Sequence, residues 1–320
     1  MSLYNILISG AGQLGSRYLQ GLTKSKLNLN IFIYDINPIS IINAKERLSE
    51  VVDSYSNLYI KFIDNLEQIP KTIDLVIVST TADSRLNAIQ VINKNANVKN
   101  WILEKVLAQS IFDLNEIVKI TKDSNGVWVN LPRRIYKIYN NLKTLLNKTK
   151  KLSIKVNGYK WGIACNSIHF LDLVSWLSET ELVSISLEKL ERKWVSSKRK
   201  GFFDIEGIAF AEYSNGSTLE LSSNDNKDQS LVLELEQDHD IWKIDEERGI
   251  ISNFKGIEII NPTPFQSDIT AEIVENILLH SKSELPTMQH SFYLHKIYLD
   301  AFLKHWNQNM ENKTQKLPVT

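Results

Sequence analysis

The chain reads as an α/β protein of two domains, a doubly wound parallel sheet followed by an α+β domain on a mainly antiparallel open sheet. Three observations predict this. The first 131 residues alternate short apolar runs with longer amphipathic ones. A glycine cluster lies where the first apolar run gives way to the first amphipathic stretch. Beyond residue 132 strand patterns follow one another with few helical ones between them. At 320 residues, 43% of them hydrophobic, the chain suits about two domains and can fill both cores. The first domain is assigned residues 1–131 and the second 132–320.

In chain order, strands are expected at 5–9, 30–35, 59–63, 73–79, 101–104 and 127–130. The plainest is Asp74-Leu-Val-Ile-Val-Ser79, a continuous β-branched run suited to burial on both faces. Helices at 13–24, 38–52, 84–95 and 112–122 carry apolar residues at spacings of three and four, as helices packed on one side of a sheet should. Pro132 marks a break, and a helix over 135–146 leads into the second domain. Strands are expected there at 152–159, 183–191, 207–213, 218–223, 230–237 and 241–245, with Asn215-Gly216 as hairpin-turn residues between two of them. Helices over 268–281 and 291–307 close the chain, and the polar tail after Asn309 is expected to be loose.

Composition excludes several function classes. Thirty-seven basic residues balance 37 acidic ones, so the broad cationic surface of a non-specific nucleic-acid binder is missing. One cysteine forms no intramolecular disulfide and no multi-thiolate zinc site. The start, Met-Ser-Leu-Tyr-Asn, shows no secretory pattern, and no apolar stretch approaches the roughly 18 residues of a membrane helix. A cytoplasmic protein without nucleic-acid or membrane partners is expected.

Gly10-Ala-Gly12-Gln13-Leu14-Gly15 falls at the expected strand-to-helix junction, the context of a dinucleotide-binding fingerprint. Its first glycine permits the tight turn, its second admits a pyrophosphate at the helix N-terminus, and its third lets helix and strand pack closely. Asp35, at the end of the second strand, is placed to accept hydrogen bonds from the adenosine ribose. A carboxylate there repels a 2′-phosphate, and Ile36-Asn37-Pro38 offers no arginine to receive one. NAD(H) is therefore expected over NADP(H). The plainer alternative is a glycine turn and a capping aspartate in a domain that binds no nucleotide.

Two further clusters bear on chemistry. Glu104-Lys105 ends the fifth strand, at the edge of the sheet where ligands bind in open α/β folds. Cys165-Asn166-Ser167-Ile168-His169-Phe170-Leu171-Asp172 opens a helix, and spacings of four and three put Cys165, His169 and Asp172 on one face. The segment offers too few donors for a metal site. Its plainer reading is a capped helix whose histidine bonds Asp172 for structural reasons.

In this combination and order, the motifs resemble the Gfo/Idh/MocA oxidoreductases, two-domain enzymes that act on sugars, cyclitols and related polyols with nicotinamide cofactors. The resemblance rests on the fingerprint with Asp35, Val78-Ser-Thr-Thr81, Leu103-Glu104-Lys105 and Ile168-His169-Phe-Leu-Asp172, and spans most of the chain. It implies an N-terminal Rossmann domain, with Gly10, Gly12, Gln13, Leu14, Gly15, Asp35, Ser79, Thr80, Thr81, Arg85, Glu104 and Lys105 on the cofactor side. It also implies substrate contacts from Arg133, Arg134, Trp161, Cys165, Asn166 and His169.

Chemically, His169 would exchange the hydroxyl proton, since imidazole titrates near pH ~6.5. Lys105 would stabilise the developing oxyanion, and Asp172 would orient His169. Four positions depart from the family pattern. Val106 follows Glu104-Lys105 where proline is usual, so Lys105 is expected to sit differently. Thr81 and Arg85 replace a proline and a histidine, and Cys165 replaces an aspartate. A homodimer or homotetramer is expected from the exposed face of the second sheet.

The leading expectation is an NAD-dependent sugar, nucleotide-sugar or polyol oxidoreductase, with analogy suggesting surface-polysaccharide biosynthesis. Its rival is a nucleotide-binding regulatory or scaffold protein with a degenerate catalytic site. A reductase of another carbonyl or imine is a third possibility.

Overall fold

The computed structural model describes residues 2–51 and 57–320 and divides into two compact units. Residues 1–108, 112–130 and 264–288 form the first; 109–111, 131–263 and 289–320 form the second. The units are thus not two consecutive stretches. Residues 264–288, expected with the second domain, cluster with the first.

The first unit is built on six parallel strands: β1 (Leu3–Ser9), β2 (Asn28–Tyr34), β3 (Leu58–Ile63), β4 (Leu75–Val78), β5 (Asn100–Leu103) and β6 (Gly126–Val129). Their order is β3-β2-β1-β4-β5-β6, doubly wound from β1 as expected. Every side chain of β4 and β5 is buried, which is why, Asn100 apart, their sequences run apolar without alternation. The connecting helices are α1 (Gln13–Leu22), α2 (Pro38–Ser49), α3 (Ala82–Asn95) and α4 (Ile111–Thr121). Of the expected helix 38–52, position 52 lies outside the described residues.

A later helix, α7 (Gln266–His280), returns to this unit and packs on α1. A Cβ on Gly21 of α1 would stand 2.5 Å from Cβ of Thr270, so the close approach of the helices requires glycine. Lys24 pairs with Asp268 at 2.8 Å, and Ser25 donates to Glu275 at 2.8 Å.

After α5 (Lys137–Leu145), the second unit lays down an eight-stranded sheet. Its strands are β7 (Ser153–Tyr159), β8 (Leu182–Leu190), β9 (Gly207–Tyr213), β10 (Thr218–Asn224), β11 (Val232–Gln237), β12 (Asp240–Asp245), β13 (Ile250–Asn253) and β14 (Glu258–Ile260). Their order is β8-β9-β10-β7-β11-β12-β13-β14, antiparallel except where β7 pairs parallel with β10. The turn at Asn215-Gly216 joins β9 to β10 as expected, with Gly216 at φ +83°. The last two strands, β13 and β14, were not among the expected elements.

Burial alternates along β10, with Leu219, Leu221 and Ser223 inside. Helix α6 (Ile163–Ser178) packs against β10, and the Tyr213 hydroxyl donates to the Leu171 carbonyl at 3.0 Å. Helix α8 (Met288–Asn309) follows. The expectation of a loose tail after Asn309 is overturned: Leu317 and Val319 are buried, and their apolar side chains anchor a segment whose preceding residues are polar. Among the described residues no helix is long and apolar enough to cross a membrane.

Replacing Gly21 with valine is expected to lower the unfolding free energy by about 2 kcal/mol through overpacking against Thr270, measured by urea denaturation. An unchanged urea midpoint would show that the two helices are free to separate there.

Candidate active site

In the first unit the chain turns from β1 into α1 at Gly10, where φ is +98° and the N–H donates to the Tyr34 carbonyl at 2.8 Å. A Cβ on Gly15 would lie 1.8 Å from the Gly10 carbonyl oxygen, so helix and turn meet only without a side chain. At Gly12, the N-cap of α1, a Cβ would meet nothing within 4 Å. The glycine therefore borders open space at a helix N-terminus, a cradle that suits a pyrophosphate. Asp35 lies beside it, with Oδ2 accepting from the Ala11 N–H at 2.6 Å and Oδ1 from the Asn37 N–H at 2.8 Å. Both bonds leave lone pairs for ribose hydroxyls.

The neighbouring strand end holds this turn from below. Ser79 donates through Oγ to the Gly10 carbonyl at 2.7 Å, and Thr81 is the N-cap of α3. Arg85 is buried, and its guanidinium donates to the carbonyls of Thr80 and Val106. The expectation that Arg85 faces the cofactor gives way to a role beneath the two loops, because both ends of its fork are taken by backbone. Gln13 is likewise tied through its side chain to Arg47 Nη2 at 2.6 Å, a partner the sequence reading missed.

Glu104 points inward. It is 5% exposed and accepts from the Tyr18 hydroxyl at 2.7 Å and from Asn130 Nδ2 at 2.7 Å. Asn130 Nδ2 also reaches Gln266 at 2.9 Å. Burial raises the Glu104 carboxyl above the usual range, against the pull of Tyr18, Arg85, Asn130 and Lys105. Burial likewise pushes the Tyr18 phenol well up, with Glu104 adding to it. The next residue, Lys105, is half-buried at the end of β5, and its peptide bond to Val106 is cis.

In the second unit α6 starts at Gly162, φ +83°, where a Cβ would stand 2.6 Å from Asp204 Oδ2. Asp204 Oδ1 accepts from the Ala164 N–H at 2.8 Å and the Ile205 N–H at 2.9 Å, capping the helix with a charge suited to its dipole. Burial nevertheless raises the Asp204 carboxyl to about 6, against backbone donors at Ile205, Ala164 and Cys165. On α6, Cys165, Asn166 and His169 are half-exposed, whereas Ile163, Ala164, Ser167, Ile168 and Phe170 through Ser175 are buried. His169 thus belongs to the one partly open stripe of the first three turns.

Within that stripe Asn166 donates to the Trp161 carbonyl at 2.7 Å, and Cys165 Sγ donates to the Thr320 carbonyl oxygen at 2.6 Å. Trp161, half-buried, donates from its indole to Ser222 at 2.8 Å and packs edge-on to Phe170, centroids 5.4 Å apart.

The remaining expectations need correction. Asp172 is fully buried and held by Arg134 in a two-pronged pair, Nε to Oδ2 at 2.7 Å and Nη2 to Oδ1 at 2.6 Å. His290 Nε2 stands 3.2 Å from the same Oδ1 and 2.6 Å from Arg134 Nη2. Asp172 therefore anchors Arg134 and His290 instead of orienting His169, and Arg134 is not presented to a substrate. Arg133 is also committed: it pairs with Glu246 at 2.7 Å and stacks on Phe170, 4.3 Å from its centroid. Burial lowers the Arg133 guanidinium, and Glu246 more than reverses this. Among the described residues no group of three or more His, Cys, Asp or Glu side chains could hold a metal ion.

Residues 4–131 match the profile of the Gfo/Idh/MocA family, described as an oxidoreductase family with an NAD-binding Rossmann fold. No curated protein matches the chain by sequence. Among solved structures, the chain is similar to UDP-N-acetylglucosamine 3-dehydrogenase from Acidithiobacillus ferrooxidans, at 12% identity and a TM-score of 0.71, covering 94% of this chain and 97% of that one. It is also similar to myo-inositol dehydrogenase from Lactobacillus casei, solved with NAD(H) and myo-inositol, at 15% identity and 0.68, covering 97% and 96%. A super-repressor mutant of Gal80p from Saccharomyces cerevisiae matches at 14% identity and 0.69, covering 95% and 96%. These likenesses show a shared fold.

A carboxyl raised from 3.8 to about 6 holds its proton more tightly in the folded chain, so its contribution to stability is present below the unfolded value and lost as pH rises through the folded one. Asp204 is therefore expected to withdraw roughly 3 kcal/mol between about pH 4 and about pH 7. Urea unfolding of the wild type and Asp204→Asn across that window checks this; parallel profiles would refute it.

Proposed function

We propose that this chain, whose residues 4–131 belong to the Gfo/Idh/MocA family of NAD-binding oxidoreductases, is an NAD-dependent dehydrogenase or reductase of a sugar, nucleotide sugar or polyol. The observation that carries this reading is a lysine braced at a strand end in the same unit as an open glycine cradle. Lys105 follows Glu104, whose burial and bonds to Tyr18 and Asn130 fix the end of β5. Gly12 leaves the N-terminus of α1 open to a pyrophosphate, and Asp35 is held where ribose hydroxyls would meet it.

Bound nicotinamide supplies the hydride acceptor or donor. The chain's own groups manage the proton and the charge. As the carbinol is oxidised, its C–H bond breaks with loss of hydride and its O–H proton passes to a ring nitrogen of His169. Lys105 is proposed to supply the ammonium that stabilises the negative charge developing as the carbon–oxygen double bond forms. Reduction runs these steps in reverse. Asp35 disfavours a 2′-phosphate, which selects NAD(H) over NADP(H). The substrate's ring hydroxyls suit the half-exposed polar groups of α6, and surface-polysaccharide biosynthesis is the setting proposed by analogy alone.

A second reading, a nucleotide-binding regulatory protein without turnover, is favoured by Cys165, a neutral thiol one turn before His169 that cannot hold an imidazolium as a carboxylate would. Turnover separates the two.

NADH is expected to quench tryptophan fluorescence saturably and to bind about tenfold more tightly than NADPH, since like charge at Asp35 opposes the phosphate. Tighter NADPH binding would overturn the cofactor choice. In a panel of polyols and nucleotide sugars followed at the NADH absorbance, Lys105→Ala and His169→Ala are each expected to lose roughly 10²-fold or more in kcat. Wild-type rates in both variants would remove these residues from the chemistry. The chain is further proposed to form a homodimer or homotetramer, and a monomeric mass by light scattering would refute that.

A further inference from the structure

Residues 310–320 leave α8 and fold back over the second unit along a series of specific bonds. Trp306 Nε1 donates to the Asn312 carbonyl at 3.1 Å, and Asn307 and Thr314 exchange two hydrogen bonds at 2.9 and 2.8 Å. These bonds turn the chain. The next stretch is threaded through its neighbours: the Leu317 N–H donates to the Gln109 carbonyl at 2.8 Å, Gln109 Nε2 to the Val319 carbonyl at 3.1 Å, and the Phe203 N–H to the Pro318 carbonyl at 2.9 Å.

Leu317 and Val319 are 1% and 2% exposed, so two apolar side chains seat the segment while its backbone groups are matched by partners on three different parts of the unit. At the end of this run the Thr320 carbonyl oxygen accepts from Cys165 Sγ at 2.6 Å.

That last contact falls on the face of α6 that carries His169. Residues four apart on a helix have Cβ atoms about 6 Å from each other, so a molecule on His169 lies within one turn of Thr320. The half-exposed stripe of α6 is therefore bounded, at its N-terminal end, by residues 317–320.

We infer that residues 317–320 form a fixed wall of the substrate site beside His169, latched by the Cys165 thiol, and that this wall limits the size of the substrate. The inference rests on the dehydrogenase reading for what passes His169, but the seating of the wall is independent of it. Cys165 then serves the wall, as the donor that holds Thr320, and does not act as a substrate ligand. A serine at 165 can donate the same bond, whereas an alanine cannot.

Cys165 is the only cysteine of the chain, so its alkylation by iodoacetamide reports the seating of the wall directly. Two variants loosen it: deletion of residues 317–320, and Val319→Asp, which places a charge in a buried apolar position; circular dichroism confirms that each is folded. Alkylation is expected to be at least about tenfold faster in either folded variant than in the full chain. Equal rates would overturn the proposal, whatever the enzyme assays show.

The second readout is the ratio of kcat/KM for UDP-N-acetylglucosamine to that for myo-inositol. It is expected to rise about fivefold or more in the loosened variants and in Cys165→Ala, to stay at the wild-type value in Cys165→Ser, and to change with NADH affinity unaltered. An unaltered ratio in variants with fast alkylation would overturn the wall as a determinant of specificity. Absence of turnover in every protein, the wild type included, would count against the dehydrogenase reading and with it against a substrate wall, leaving the alkylation rates to decide the seating alone.

Discussion

Burying Glu104 obliges much of the first unit to organise around one carboxylate. A carboxylate removed from water costs several kcal/mol unless donors replace its hydration, and removing one partner of such a group costs about 3–5 kcal/mol. The donors come from two directions. Tyr18 reaches it from α1 and Asn130 from the end of β6, while the Asn130 amide also holds Gln266 at the start of α7. Four elements are thereby tied at the C-terminal edge of the sheet, where the glycine turn, Asp35 and Lys105 all lie. The same close fit explains Gly21: α7 can stand near enough to α1 only where α1 has no side chain.

The second unit uses buried charge differently. Arg133 and Arg134 are adjacent, yet each is committed to its own carboxylate, Glu246 and Asp172. Both pairs lie alongside α6: Asp172 belongs to the helix, and Arg133 stacks on Phe170. With Asp204 capping the N-terminus and Tyr298 donating to the Ala164 carbonyl, the helix is fixed at its start and along its buried face. Such a helix presents His169 on a rigid element, which suits the proton transfer proposed for it. Buried ion pairs add little net stability, so their value here lies in holding one arrangement.

What was legible in the sequence was local. Gly10, Gly12 and Gly15 carry their meaning within six residues, and Asp35 within one strand, because the strand-turn-helix geometry is set by adjacent chain. The apolar run of β4 declares itself for the same reason. The groups that sequence reasoning misplaced have distant partners. Tyr18 lies 86 positions from Glu104, and Arg134 lies 156 from His290. Asp172 stands three residues from His169, and helical spacing favoured that pairing; an arginine 38 positions earlier took the carboxylate because a guanidinium fork fills both oxygens at once. The tail misled by composition, its polar residues before Leu317 hiding two apolar anchors at a spacing of two.

Cys165 shows why a residue cannot be read apart from its partners in the fold. Taken alone, a thiol one helical turn before His169 suggests a lost function, because a neutral thiol cannot stabilise an imidazolium. In the folded chain the same thiol donates a hydrogen bond, which an ionised aspartate could not do, and its acceptor is a backbone carbonyl 155 positions away. An aspartate at 165 would set a negative charge against that carbonyl oxygen and drive residues 317–320 from their seat. The thiol at 165 and the ordered tail are therefore two halves of one arrangement, joined by a bond that only a donor at 165 can make.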